Sequence, residues 1–131
     1  MDVVQAPLRS PNDIVLARQL VRRAAQEVGL SLVDQTKIVT AASELARNTL
    51  VYGLGGEMTV QVLQEETRKG VRLSFVDQGP GIADLDLALT DGWTSGNGLG
   101  MGLSGARRLV NEFEIHSRVG EGTRVTIARW K

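Results

Sequence analysis

The sequence predicts an α+β domain in two layers, with helices packed against one face of a sheet. Three observations carry that expectation. Apolar residues recur at helical spacing as far as Tyr52 and alternate every second residue from Met58 onward. Helices and hairpins come in blocks, not as a repeated strand–helix–strand unit. A glycine-dense stretch from Gly79 to Gly105 separates the first hairpin from a last helix and a closing hairpin.

The elements follow in order. The N-terminal residues alternate small apolar and polar types and read either as an edge strand, Asp2 to Ala6, or as a loose arm. Ser10 is a helix cap, Pro11 suits the first helical position, and Asp13 stands where a capping box wants an acid. Ile14, Ala17, Leu20, Val21, Ala24 and Val28 form the stripe of this helix, and Gly29 ends it. Ser31 caps a second helix with Asp34 three residues on. Its stripe is Ile38, Ala41, Ala42, Leu45, Thr49 and Tyr52, and Gly53, Gly55 and Gly56 terminate it. Met58, Val60 and Val62, then Val71, Leu73 and Phe75, alternate as two half-buried strands. A short helix is expected around Leu85–Leu89 and a longer one over 103–113. Strands over 114–119 and 123–130 flank the turn Gly120-Glu121-Gly122.

Composition excludes several functions. At 131 residues the chain suits one domain, 1–131. Its 15 basic and 15 acidic residues balance, so no bulk field favours nucleic acid or an anionic membrane. Without cysteine there is neither a disulfide nor a thiolate metal site, and His116 alone cannot make a histidine metal cluster. No apolar run approaches the roughly 20 residues that span a bilayer, and the start of the chain lacks the apolar core of a signal peptide. A cytoplasmic protein is expected.

Three constellations look chemical. Glu44 and Asn48, four apart on the second helix, share a face distinct from the apolar stripe. A carboxylate beside an amide oxygen suits a proton acceptor next to a hard-cation ligand, though an isolated pair at this spacing is by default a solvated helix face. Asp77 ends an apolar strand and is followed by Gln-Gly-Pro-Gly. The carboxylate can accept a hydrogen bond while Gly79 and Gly81 leave room for a flat ligand, or the segment is simply a turn. The run Gly96-Asn97-Gly98-Leu99-Gly100-Met101-Gly102 leads into a helix, where free backbone N–H groups favour phosphate, or it is simply a flexible glycine loop. No Gly-Lys-Ser/Thr follows it, so it is not a Walker loop, and no βαβ unit makes it a dinucleotide fingerprint.

In this order, Glu44-Leu-Ala-Arg-Asn48, Asp77-Gln-Gly-Pro-Gly-Ile82, Gly98-Leu-Gly-Met-Gly-Leu103 and Gly120-Glu-Gly-Thr123 resemble the Bergerat-fold (GHKL) ATPases. The likeness is strongest to the anti-sigma-factor serine/threonine kinases, and among them to the RsbT-type switch kinases of the bacterial stressosome. The resemblance implies a two-layer sandwich whose mixed, mostly antiparallel sheet is covered on one face by helices. It implies ATP with Mg²⁺, Asn48 holding the metal and Glu44 orienting or deprotonating the attacking hydroxyl. Asp77 would take the adenine amino group, with Gly79, Gly81 and Ile82 around the ring and Thr123 joining the adenine network. Gly96, Asn97, Gly98, Leu99, Gly100, Met101, Gly102 and Leu103 would form the phosphate lid. The implied activity is a protein-serine/threonine kinase acting on a STAS-domain antagonist and switching to an effector such as a PP2C-type phosphatase. The alternative is a non-catalytic ATP- or ADP-bound switch, or an anti-sigma factor acting on a sigma factor by stoichiometric binding. No phosphoacceptor-histidine helix is present, which sets the chain apart from a complete histidine kinase. No lysine stands beside the expected triphosphate, leaving Arg47 or Arg107 as candidate cations.

Overall fold

Ser10 begins the first helix as its sequence neighbours require. In the computed structural model, which describes residues 3–89 and 99–131 (backbone alone at 99–101), its hydroxyl accepts the Asp13 amide at 3.3 Å. Helix α1 runs Pro11–Glu27. The Asp13 carboxylate in turn accepts the Arg9 amide at 2.8 Å, so two amides at the helix start are satisfied reciprocally. Gly29, at φ +81°, lets the chain reverse, and the Gly29 and Leu30 amides donate to the carbonyls of Gln26 and Ala25. Helix α2, Leu32–Val51, starts the same way, with the Ser31 hydroxyl accepting the Asp34 amide at 3.1 Å.

The strands are β1 (Val3–Leu8), β2 (Gly56–Gln64), β3 (Lys69–Asp77), β4 (Glu112–Arg118) and β5 (Gly122–Trp130), ordered β1-β2-β3-β5-β4. All four described pairings are antiparallel, so the expected mixture reduces to one antiparallel sheet. The N-terminal segment is an edge strand and not a loose arm, because fully buried Leu8 anchors it against β2.

Strand alternation sends Met58 and Val60, Val71, Leu73 and Phe75, and Val125 and Ile127 to the face covered by the helices. There they meet Ile38 and Leu45 of α2. Each large side chain so buried contributes about 1.5–3 kcal/mol. This core between the sheet and α1–α2 fixes where the end of β3 stands relative to α2.

Two boundaries differ from expectation. Short helix α3, Leu85–Ala88, forms where anticipated, with the Asp84 carboxylate accepting the Leu87 amide at 3.0 Å. Helix α4, however, spans Leu99–Arg108 instead of 103–113. It begins inside the glycine run because packing against α2 overrides the poor helix propensity of glycine. It ends early because Asn111 is already hydrogen-bonded to β5. The Asn111 amide donates to the Ala128 carbonyl at 3.0 Å, and its side-chain oxygen accepts the Trp130 amide at 2.7 Å. Strand β4 consequently starts at Glu112.

Candidate functional site

One row of residues across four strands forms the floor of the site. Gly56 pairs with Asp77, Asp77 with Thr123, and Thr123 with Ser117. Asp77 and Thr123 lie two residues beyond Phe75 and before Val125, so strand alternation turns them toward the helices. Between this row, α2 and α4 lies a cavity of about 200 Å³, lined by Asn48, Tyr52, Asp77, Ile82, Leu103 and Thr123 among others. It has room for a flat bicyclic ring.

Asp77 is the polar centre of that cavity. It is only 9% exposed, and its Oδ1 accepts the Gly79 amide at 2.9 Å. Burial pushes its carboxyl above the ordinary carboxylate value, against the opposing pull of the Gly79 and Thr123 amides. Three glycines make the crowding tolerable. A methyl on Gly53 would occupy the space of the Asp77 carboxyl group, and one on Gly79 would lie 2.7 Å from the Gly53 Cα. Gly81, at φ +77°, lies against the Arg118 carbonyl with no room for a side chain.

Asn48 corrects an expectation. Helical spacing set it with Glu44 away from the apolar stripe, on a face suited to solvent. Instead α4 covers that face, and the Asn48 Nδ2 is buried with no partner among the described residues. A Cβ on Gly102 would stand 2.8 Å from that nitrogen. A buried amide without a partner is costly unless a ligand completes it. Glu44, one turn earlier on α2, is half-exposed and does not line the cavity.

The remaining expected residues divide. Ile82 and fully buried Leu103 line the cavity with Thr123, and Gly81 shapes it. Backbone at Leu99, Gly100 and Met101 is helical, so these residues and Gly102 are the first turn of α4 and not a loop. Gly96, Asn97 and Gly98, together with Trp93, lie outside the described residues. Arg107 donates to the Leu89 carbonyl at 3.2 Å, which ties α4 to the end of α3, while Arg47 is exposed on α2. His116 is exposed and stands 2.6 Å from Glu114, away from the cavity.

Sequence reasoning missed Gly53 and Tyr52 as cavity residues, and Ser117 as the hydrogen-bond partner of the cavity residues Ile82 and Thr123. Gly53 read as a helix terminator and Tyr52 as part of the stripe, which are both correct and incomplete. A glycine five residues past Asn48 was the available signal for the first. Nothing in the local sequence singled out Ser117.

Chemically, the cavity joins a floor that accepts hydrogen bonds at Asp77 to a buried amide at Asn48, across apolar walls. Such a cleft takes a planar base bearing an amino donor at one end and a polar or charged group at the other. An antiparallel sheet covered on one face by helices, with this cleft between them, defines a small nucleotide-binding domain.

The chain belongs to the histidine kinase-, DNA gyrase B- and HSP90-like ATPase family, whose model matches residues 33–131. It is 44% identical over 118 residues to the serine/threonine-protein kinase RsbT of Bacillus subtilis (strain 168), covering 90% of this chain and 89% of that one. It is 27% identical over 118 residues to an anti-sigma F factor of Clostridium novyi (strain NT), covering 86% and 82%. A crystal structure of the RsbU and RsbW domains of a Mycobacterium tuberculosis protein superposes along 100% of this chain with a TM-score of 0.68. The match spans only 33% of that longer chain, and at 21% identity it is a likeness of fold. Within the family the chain stands in the ATP-using protein-serine/threonine kinase and anti-sigma-factor branch. No helix among the described residues is long and apolar enough to cross a membrane.

Proposed function

We propose that this chain transfers the γ-phosphoryl group of ATP to a serine or threonine of a small STAS-domain antagonist. It then switches between that antagonist and a downstream effector, a phosphatase of the PP2C type, in the cytoplasm. The observation that carries the reading is the buried Asn48 amide, without a partner among the described residues, one helical turn from Glu44 and on the cleft that Asp77 floors.

Each residue has a share in that chemistry. Asp77 accepts the adenine amino group, while Gly53, Gly79 and Gly81 keep side chains away from the ring edge. Ile82 and Leu103 supply apolar walls, and Thr123 joins the base contacts. Among the described residues no cluster of three or more His, Asp or Glu could hold a metal alone. Asn48 would hold an Mg²⁺ ion through its side-chain oxygen, and the ion would supply neutralisation of phosphate charge. Glu44 takes the proton of the acceptor hydroxyl as its oxygen bonds to the γ-phosphorus and the bond to ADP breaks. Positioning does most of the work. Gly102, whose backbone lies against the Asn48 amide, marks the phosphate end of the site.

The test mixes the chain with STAS-domain proteins and Mg-ATP and maps phosphoserine and phosphothreonine by mass spectrometry. Transfer is expected, and Glu44→Ala is expected to slow it by about 10²–10⁴-fold with ATP binding retained. ATP binding with no transfer to any partner would sink the kinase assignment.

A second reading has its own observation, since Glu44 is half-exposed and does not line the cavity. On that reading the nucleotide only sets a conformation that binds an effector or a sigma factor stoichiometrically. Partner binding undiminished by Glu44→Ala, with no phosphorylation by the parent chain, would favour it.

A further inference from the structure

Ser117 is the member of the row Gly56–Asp77–Thr123–Ser117 whose side chain the chemistry above leaves without a part. Its hydroxyl is nonetheless surrounded by three partners. The Ile82 amide donates to its Oγ at 2.8 Å, its Oγ donates to the Gly122 carbonyl at 3.0 Å, and the Thr123 Oγ1 stands 2.7 Å away.

A serine hydroxyl has one proton and two lone pairs. The Ile82 amide can only donate, so it takes one lone pair. The Gly122 carbonyl can only accept, so it takes the proton. With all three bonds made at once, one lone pair remains for Thr123, and the Thr123 hydroxyl donates its own single proton to it. Thr123 then has only lone pairs left to turn toward the cavity it lines. Asp77 beside it already acts as an acceptor, its Oδ1 taking the Gly79 amide.

We propose that Ser117 is a specificity-determining positioning residue. By taking the Thr123 proton, it makes this edge of the cavity accept hydrogen bonds and not donate them. Such an edge matches a 6-aminopurine, which offers an N–H, and rejects a 6-oxopurine, whose carbonyl would face two acceptors. The same hydroxyl ties two segments of the site together, since the Ile82 amide that it accepts belongs to a residue of the cavity wall. The proposal rests on the reading of the cavity as an adenine site.

The experiment measures the dissociation constants of ATP and inosine triphosphate for the full chain by titration calorimetry, with thermal midpoints recorded in parallel. The parent chain is expected to prefer ATP. Ser117→Ala returns a proton to Thr123 and is expected to lower the ATP-to-inosine preference by about 3- to 10-fold. Thr123→Val leaves Ser117 in place and is expected to lower the preference by a similar factor. Adding Ser117→Ala to it should change the preference no further. An unchanged preference in either single variant overturns the proposal, as does a further drop in the double variant. Should Ser117→Ala fail to fold, Thr123→Val alone decides. If the parent chain binds both nucleotides equally, the adenine reading itself fails.

Discussion

Gly53 and Asp77 exclude each other's side chains: a methyl on Gly53 would sit within the Asp77 carboxyl group. The residue just past α2 is thereby matched to the buried carboxylate at the end of β3. Gly53→Ala forces either Asp77 out of its hydrogen bond with Gly79 or the end of α2 away from the sheet. Overpacking of this kind costs about 1–3 kcal/mol. Denaturant unfolding should register that loss, and calorimetry should register ATP binding weakened about tenfold or more. Binding equal to the parent would mean that Asp77 does not touch the nucleotide.

Gly102 and Asn48 make a second matched pair, with a different outcome. The atom nearest a Cβ at Gly102 is the end of a side chain, the Asn48 Nδ2 at 2.8 Å, so the amide can turn aside. Alanine inside α4 also gains about 0.5–1 kcal/mol of helix stability over glycine. Gly102→Ala is therefore expected to hold or raise the thermal midpoint while weakening Mg-ATP binding. Binding measured with the metal chelated should change less. A parallel loss with and without metal would count against Asn48 as a metal ligand.

How much of this was legible depends on whether the cause was local. Ser10, Ser31 and Gly29 announced the ends of α1 and α2 because a cap acts within a few residues of itself. The strands at Met58–Val62 and Val71–Phe75 announced themselves through alternation. The bounds of α4 did not, since glycines at 100 and 102 argue against a helix until α2 is packed against it. Asn48 was legible as a metal ligand through the resemblance, but its burial was not, because the α2 stripe was judged against the sheet alone. The helix that buries its amide comes from residues about fifty positions later. Ser117 was illegible for the same reason: its partners Ile82 and Thr123 are assembled by the sheet.

The raised Asp77 carboxyl gives a pH dependence with a definite sign. A carboxyl that holds its proton more tightly in the folded chain loses stability for the fold as pH rises. The loss begins at the ordinary carboxylate value and is complete above the folded one. Asp77→Asn removes the cost of burying that charge. Its midpoint at neutral pH should match or exceed the parent's, with the advantage fading as pH falls through that window. ATP affinity of the parent should weaken over the same acid range, because only the ionised carboxylate accepts freely. In Asp77→Asn, affinity should be lower and should lack that component. A parent affinity that follows the variant's pH profile would remove Asp77 from the contact.

Asp34 and Arg129 should show the opposite sign. The Arg129 Nη2 donates to the Asp34 Oδ1 at 2.8 Å, and its Nη1 donates to the Leu109 carbonyl at 3.1 Å. One guanidinium thus ties the start of α2 and the chain leaving α4 to β5. Hydrogen bonding and charge from Arg129, helped by the Ser31 hydroxyl and Lys37, hold the Asp34 carboxyl below its ordinary value against the opposing pull of burial. A depressed carboxyl stabilises the fold above the ordinary value and loses that contribution as pH falls through the folded one. Asp34→Asn should therefore lower the thermal midpoint at neutral pH, with the gap to the parent closing on acidification. The Arg68–Glu65 pair is a control: its side chains are 45% and 55% exposed, and such pairs contribute about 0–1 kcal/mol. Arg129 is only 15% exposed, so its pair is screened less and should show the larger coupling in a double-mutant cycle. Equal coupling in the two pairs would mean that Arg129 holds α2 no more firmly than a surface contact does.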